Sequence, residues 1–230
     1  MSSLVGAKSV VQDNLRLYID LGNIRSYPGT GSIWYDLSNY TTNGTAVNNP
    51  SFSSNSVLFN GINNYIQFPT TNFGSTFTFT FWIRPTYNST TSQMMIANSA
   101  NGAAANGFRF FINTWNTNDK KIYLEMGTGT AGQALATNAD AIVYDTWQQV
   151  VIVVNKTINT IRVYVNGVLG TESTSMTLNF NTSNTFRLGS GGTGAYYYKG
   201  RFALFQCYLS ELTSDQILQN FNSSKGRFGL

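Results

Sequence analysis

The sequence predicts an all-β fold: a two-sheet antiparallel jelly-roll sandwich closed by one short C-terminal helix. Three observations carry this expectation. Stretches such as "FTFTFWIRP" (77–85) alternate with the period of two that sends successive side chains to opposite faces of a sheet. Turns rich in Asn and Gly separate such stretches at short intervals. A convincing helix signal occurs once, near the C-terminus.

The elements follow in order. "LRLYIDLG" (15–22) is a first strand, and the turn-rich "SYPGTGSIWYDLSNYTTNG" after it is an ordered loop anchored by Trp34 and Leu37. "SVLFNGINNYIQFP" (56–69) reads as two short strands joined at Asn60-Gly61, a pair that tolerates the positive φ angles of tight hairpins. In "FTFTFWIRP", Phe77, Phe79, Phe81 and Ile83 share one face; Thr78, Thr80, Trp82 and Arg84 share the other. "GFRFFINT" (107–114) and "KIYLEMG" (121–127) are antiparallel partners connected by "WNTNDK". "WQQVVIVVNKTINTIRVYVNGVLG" (147–170) holds two β-branched strands and a second Asn-Gly turn at Asn166-Gly167. "TFRLGS" (185–190) precedes a flexible "GGTGAYYYKG", and "KGRFALFQCYLS" (199–210) is the last long strand. The helix then opens with a capping box, Thr213 at the N-cap and Gln216 three residues on, with Ile217, Leu218 and Phe221 as its apolar face. Residues 1–14 are an N-terminal arm or a first strand, and 15–230 form one domain.

Composition narrows the function classes. Charged residues make up 10% of the chain and aromatics 14%. The net charge of +4 reflects few acids, and the basic residues are scattered singly apart from Lys120-Lys121, so no stripe exists to follow a nucleic-acid backbone. Histidine is absent, which removes the commonest general base and metal ligand. Cys207 is alone and sits in an apolar strand, where it reads as a small buried hydrophobe. No stretch approaches the roughly 20 apolar residues of a membrane span, and the N-terminus lacks a secretory apolar core, so neither membrane insertion nor export is expected.

Two places offer binding chemistry. Trp115 lies among Asn113, Asn116 and Asp119, a stacking face beside groups that can bond hydroxyls. Tyr196, Tyr197 and Tyr198 cannot all face one side of a strand, so at least one is expected at the surface. Glu125, within a strand, is the best placed candidate for a catalytic acid, against the plainer reading of a solvent-facing residue. Glu125, Glu172 and Glu211 are far apart in sequence, whereas glycoside hydrolysis usually needs two carboxyl groups, so no enzymatic activity is expected.

In order, "LFNGINNYIQF", "FTFTFWIRP", "DTWQQVVIVVN", "IRVYVNGVLG", "FRLGS" and "YKGRFALFQCYLSELTSDQI" resemble the successive blocks of the laminin G-like, concanavalin A-like lectin/glucanase superfamily. The resemblance implies the same sandwich. Calcium-binding relatives commonly carry acids where Ala203, Leu204 and Asn64 stand here, so it implies no metal site and no cofactor. "LYIDLGNIRSYPGTGSIWYDLS" and "QILQNFNSSKGRFGL" resemble versions encoded by tailed bacteriophages. That second resemblance implies a non-enzymatic virion component, such as a capsid decoration protein or head fibre, with other virion proteins and copies of itself as partners. The alternative is a tail or fibre adhesin that binds a host-surface glycan.

Overall fold

The computed structural model describes residues 9–88 and 92–230. Two eight-stranded antiparallel sheets pack face to face. The first runs β14 (Val168–Ser173), β13 (Thr160–Val165), β12 (Gln148–Asn155), β7 (Thr76–Pro85), β16 (Lys199–Tyr208), β5 (Ser56–Asn60) and β4 (Ser51–Ser53). β1 (Leu15–Asp20) shares the β5 side of β16: β5 pairs with Lys199–Phe202, and β1 with Leu204–Tyr208. The second runs β11 (Gly132–Ala136), β10 (Ile122–Gly127), β9 (Gly107–Ile112), β8 (Gln93–Ala97), β15 (Ser183–Leu188), β6 (Tyr65–Asn72), β3 (Gly44–Val47) and β2 (Ile33–Trp34).

The alternation in "FTFTFWIRP" does what its period demands. Phe77, Phe79, Phe81 and Ile83 enter the core between the sheets, where Phe79 meets Phe73, Phe108, Phe110 and Phe205 at ring-centroid distances of 5.0–6.3 Å. Cys207 is fully buried in the same core, as expected of a small hydrophobe. Trp82, on the other face, is fully buried too, because the C-terminal segment covers it: its ring stacks on Phe221 and Phe228, and its Nε1–H donates to Ser224 Oγ at 2.9 Å.

That cover is α1 (Ser214–Ser224), begun by the expected Thr213–Gln216 capping box, followed by a short 3₁₀ turn at Lys225–Phe228. Its buried face differs from the expected one. Ile217 is buried, but Leu218 is 45% exposed, and Asn220 is turned inward instead. Asn220 Oδ1 accepts from the Val11 N–H at 2.8 Å, and its amide donates to the Tyr208 hydroxyl, which donates to Val11 O. Residues 9–14 form no strand; they latch onto α1 on the outer side of the first sheet. The remainder of the expected arm, residues 1–8, lies outside the described residues.

Other expectations need correction. The segment 56–69 is not a hairpin, since β5 and β6 belong to opposite sheets. Asn60 Oδ1 accepts from the N–H groups of Ile62, Asn63 and Asn64, and of Asn60-Gly61 only Gly61 has positive φ. A two-residue type I′ turn needs both, as at Asn166 (φ 51°) and Gly167 (φ 79°), which do join β13 to β14. The loop after β1 contains β2, with Trp34 buried. The stretch 191–198 is stitched down rather than free: Gly191 N–H bonds Ala195 O, Met94 N–H bonds Tyr196 O, and Tyr198 N–H bonds Gly189 O.

Candidate functional site

The outer face of the second sheet carries the site, on the side of the sandwich opposite α1. Along β9, Phe108, Phe110 and Ile112 point into the core, so Arg109 and Phe111 point outward. The β9–β10 register pairs Ile112 with Ile122. Counting three residues along each antiparallel strand sets Arg109 opposite Glu125. With Met94 from β8, these side chains floor a cavity of about 140 Å³ walled by Trp115 and Tyr196 and edged by Ser92, Thr114 and the 101–103 loop.

Arg109 holds this floor together. It is 1% exposed, and all three guanidinium nitrogens are engaged. Nε donates to Glu125 Oε2 at 3.3 Å, Nη2 to Ala103 O at 2.9 Å, and Nη1 to Ser99 Oγ, Ala100 O and Ala105 O. Burial draws the guanidinium down from its usual range, and Glu125 opposes that shift. The strands admit the 103–105 loop only because they carry glycine there: a Cβ on Gly127 would lie 2.4 Å from Ala105 O, and one on Gly132 2.2 Å from Ala103 O.

Trp115 is 63% exposed, and the ring of Tyr196 meets it edge-on at 5.6 Å and 72°. Tyr196 has φ of 56°, which turns its ring toward the outer face. The loop holding Trp115 is shaped by two of the other expected residues. Asn113, fully buried, accepts from Lys120 N–H and donates to the Tyr144 hydroxyl, both at 2.8 Å. Asp119 accepts from Lys121 N–H and from the Tyr123 hydroxyl, whose pKa is pushed up to about 12 by burial and by that carboxylate.

Of the expected residues, then, Trp115 and Tyr196 come together at the cavity. Asn113 and Asp119 serve as struts behind it, Asn116 is exposed in the same loop, and Tyr197 is half-buried outside the cavity lining. Tyr198 is a correction: it is fully buried between the sheets, edge-on to Phe59 and Phe202, and presents nothing to a ligand. Sequence reasoning missed Arg109, Phe111 and Met94 and set Glu125 aside as solvent-facing. The available signal was the pair of opposite charges at outward positions of two strands joined by one loop.

Residues 59–218 match the family model of the concanavalin A-like lectin/glucanases superfamily. The chain belongs to that superfamily. Solved structures agree on the fold. The binding domain of botulinum neurotoxin serotype D superposes with a TM-score of 0.69 at 16% identity over 92% of this chain and 52% of its own. The sialidase of Trypanosoma rangeli, in complex with the inhibitor DANA, gives 0.72 at 16% over 95% and 34%. A botulinum neurotoxin type C structure, whose cell entry depends on interaction with two ganglioside molecules, gives 0.70 at 16% over 93% and 52%. The chain thus spans about half the length of the toxin structures. No curated protein sequence matches it.

Within this lectin/glucanase superfamily the chain departs from the calcium-binding pattern in a physically legible way. Ala203 and Leu204 pack against Trp82 beneath the C-terminal cover. Asn64 is 4% exposed; its Oδ1 accepts from Asn60 N–H at 3.0 Å, and its amide donates to Asn48 O. Its side chain is committed to fixing the turn after β5. Among the described residues, no three His, Cys, Asp or Glu side chains cluster to hold a metal ion.

Proposed function

We propose that this domain is a non-catalytic carbohydrate-binding module whose ligand stacks on Trp115 at the outer face of the second sheet. One observation carries the reading: a tryptophan 63% exposed, braced by Tyr196, stands over a cavity whose floor holds a carboxylate. An indole face covers the apolar face of a sugar ring, and Glu125 accepts from its hydroxyls. Membership of a superfamily that includes lectins agrees with this, as does the ganglioside dependence of one toxin of the same fold. Trp115→Ala is expected to weaken glycan binding about thirtyfold, roughly 2 kcal/mol as for other aromatic anchors, while leaving the melting temperature unchanged because the ring is exposed. Titration calorimetry against a glycan panel checks this, and unchanged affinity would refute it. Binding without turnover is supported by a cavity lined, among the described residues, by a single carboxyl group that is already paired with Arg109.

A second reading, a structural component of a tailed-phage particle, draws on the resemblance at the two chain ends. It is supported by the latching of residues 9–11 to α1, on the side of the sandwich opposite the face that carries Trp115. Attachment and binding would then use opposite faces. Quantitative mass spectrometry of purified particles tests it: many copies per particle are expected for a decoration protein and a handful for a fibre or adhesin, whereas absence would sink this reading.

A further inference from the structure

Resting on the reading of this cavity as a glycan site, we infer that it accepts uncharged saccharides and rejects those bearing carboxylate, sulfate or phosphate groups, with Glu125 as the specificity-determining residue. The charges lining the cavity are Arg109 and Glu125. Arg109 cannot meet a ligand anion. It is 1% exposed, and each of its nitrogens already donates to a loop carbonyl, to Ser99 Oγ or to Glu125.

Glu125 is placed the other way. Its side chain is 26% exposed, Oε2 faces Arg109, and among the described residues nothing donates to Oε1. The pair therefore presents its negative end to the cavity. A carboxylate only accepts hydrogen bonds, so it pairs with a sugar hydroxyl and has nothing to offer an anionic group, which also only accepts. Glu125 is partly exposed, so its repulsion of an anion held within a few ångströms acts at ordinary ionic strength and weakens as salt is added. The remaining polar lining, Ser92, Asn101, Thr114 and the Tyr196 hydroxyl, is uncharged, and Met94, Phe111, Trp115 and the Tyr196 ring supply apolar contact. A cavity of about 140 Å³ is smaller than the roughly 300–1,000 Å³ of drug-sized sites. It suits one ring, with the rest of the chain in solvent.

Arg187 lines a separate cleft of similar volume with Asn184 and Thr193, so binding is assigned to the Glu125 cavity by its loss in Trp115→Ala. The test compares methyl glucoside, galactoside and mannoside with the corresponding methyl uronates, which differ only at C6, by saturation-transfer NMR or calorimetry. The wild-type protein is expected to bind at least one neutral member tenfold or more tightly than its uronate, about 1.4 kcal/mol, with the gap narrowing at high salt. Glu125→Gln is expected to bring the pair within about threefold, and Trp115→Ala to weaken both members alike. Equal binding of neutral and anionic members by the wild-type protein, lost in Trp115→Ala, would overturn the charge selection and leave the glycan reading standing. Failure of every member to bind would overturn both. If Glu125→Gln does not fold, the wild-type comparison and its salt dependence decide the matter alone.

Discussion

Arg109→Ala is expected to destabilise the domain by about 3–5 kcal/mol, the range for breaking a buried ion pair by removing one partner, and to abolish ligand binding at the cavity. Two consequences add. Glu125 loses its counter-charge, and the carbonyls of Ala100, Ala103 and Ala105 lose their donor in a loop that lies directly on Gly127 and Gly132. The 99–105 loop that rims the cavity should then lift from β10 and β11. Urea unfolding measures the first effect, and amide exchange at residues 100–106 the second. A loss under about 1 kcal/mol, with that loop still protected, would show that Arg109 is not what holds the floor.

Trp82→Ala is expected to cost about 3–5 kcal/mol, as for other buried Trp-to-Ala changes, and to release the C-terminal cover while leaving binding at Trp115 intact. Trp82 is fully buried, with ring centroids 4.1 Å from Phe228 and 5.8 Å from Phe221, both stacked, and its indole N–H is bonded to Ser224. Its removal leaves α1 held by Ile217 and by the Asn220–Val11–Tyr208 bonds. Faster amide exchange confined to residues 214–228, together with unchanged glycan affinity, is the expected pattern. Loss of binding at equal ligand would contradict the assignment of the two faces to separate roles.

The parts of this fold that one sequence disclosed are those decided by local chemistry. The alternation of β7, the β-branched runs of β12 and β13, the positive φ pair at Asn166-Gly167 and the Thr213–Gln216 box each follow from a few adjacent residues. What stayed hidden was decided by distant packing. "QMMIA" in β8 is buried on both faces and shows no alternation, and "GQALA" in β11 has little strand propensity, so neither announced itself. The crossing at Asn60 was misread because the side chain of Asn60, and not the Asn-Gly backbone, makes that turn.

The site divides in the same way. Trp115 and Tyr196 could be singled out as aromatics in polar loops. Which of three consecutive tyrosines faces outward depended on the left-handed backbone at Tyr196, which alternation cannot foresee. The tether of Asn113 to Tyr144, 31 residues away, was equally out of reach. The Arg109–Glu125 pair was within reach, because the register of a single hairpin is enough to set them side by side.

The most direct test of the central claim is the set of four indole N–H resonances in a ¹⁵N–¹H spectrum during titration with a neutral oligosaccharide that binds. Trp34 and Trp82 are buried, Trp147 is half-buried near Phe228 on the far side of the sandwich, and Trp115 stands exposed over the cavity. A shift at Trp115 alone, saturating with the ligand, is the expected result. Binding that moves Trp147 and leaves Trp115 in place would contradict it.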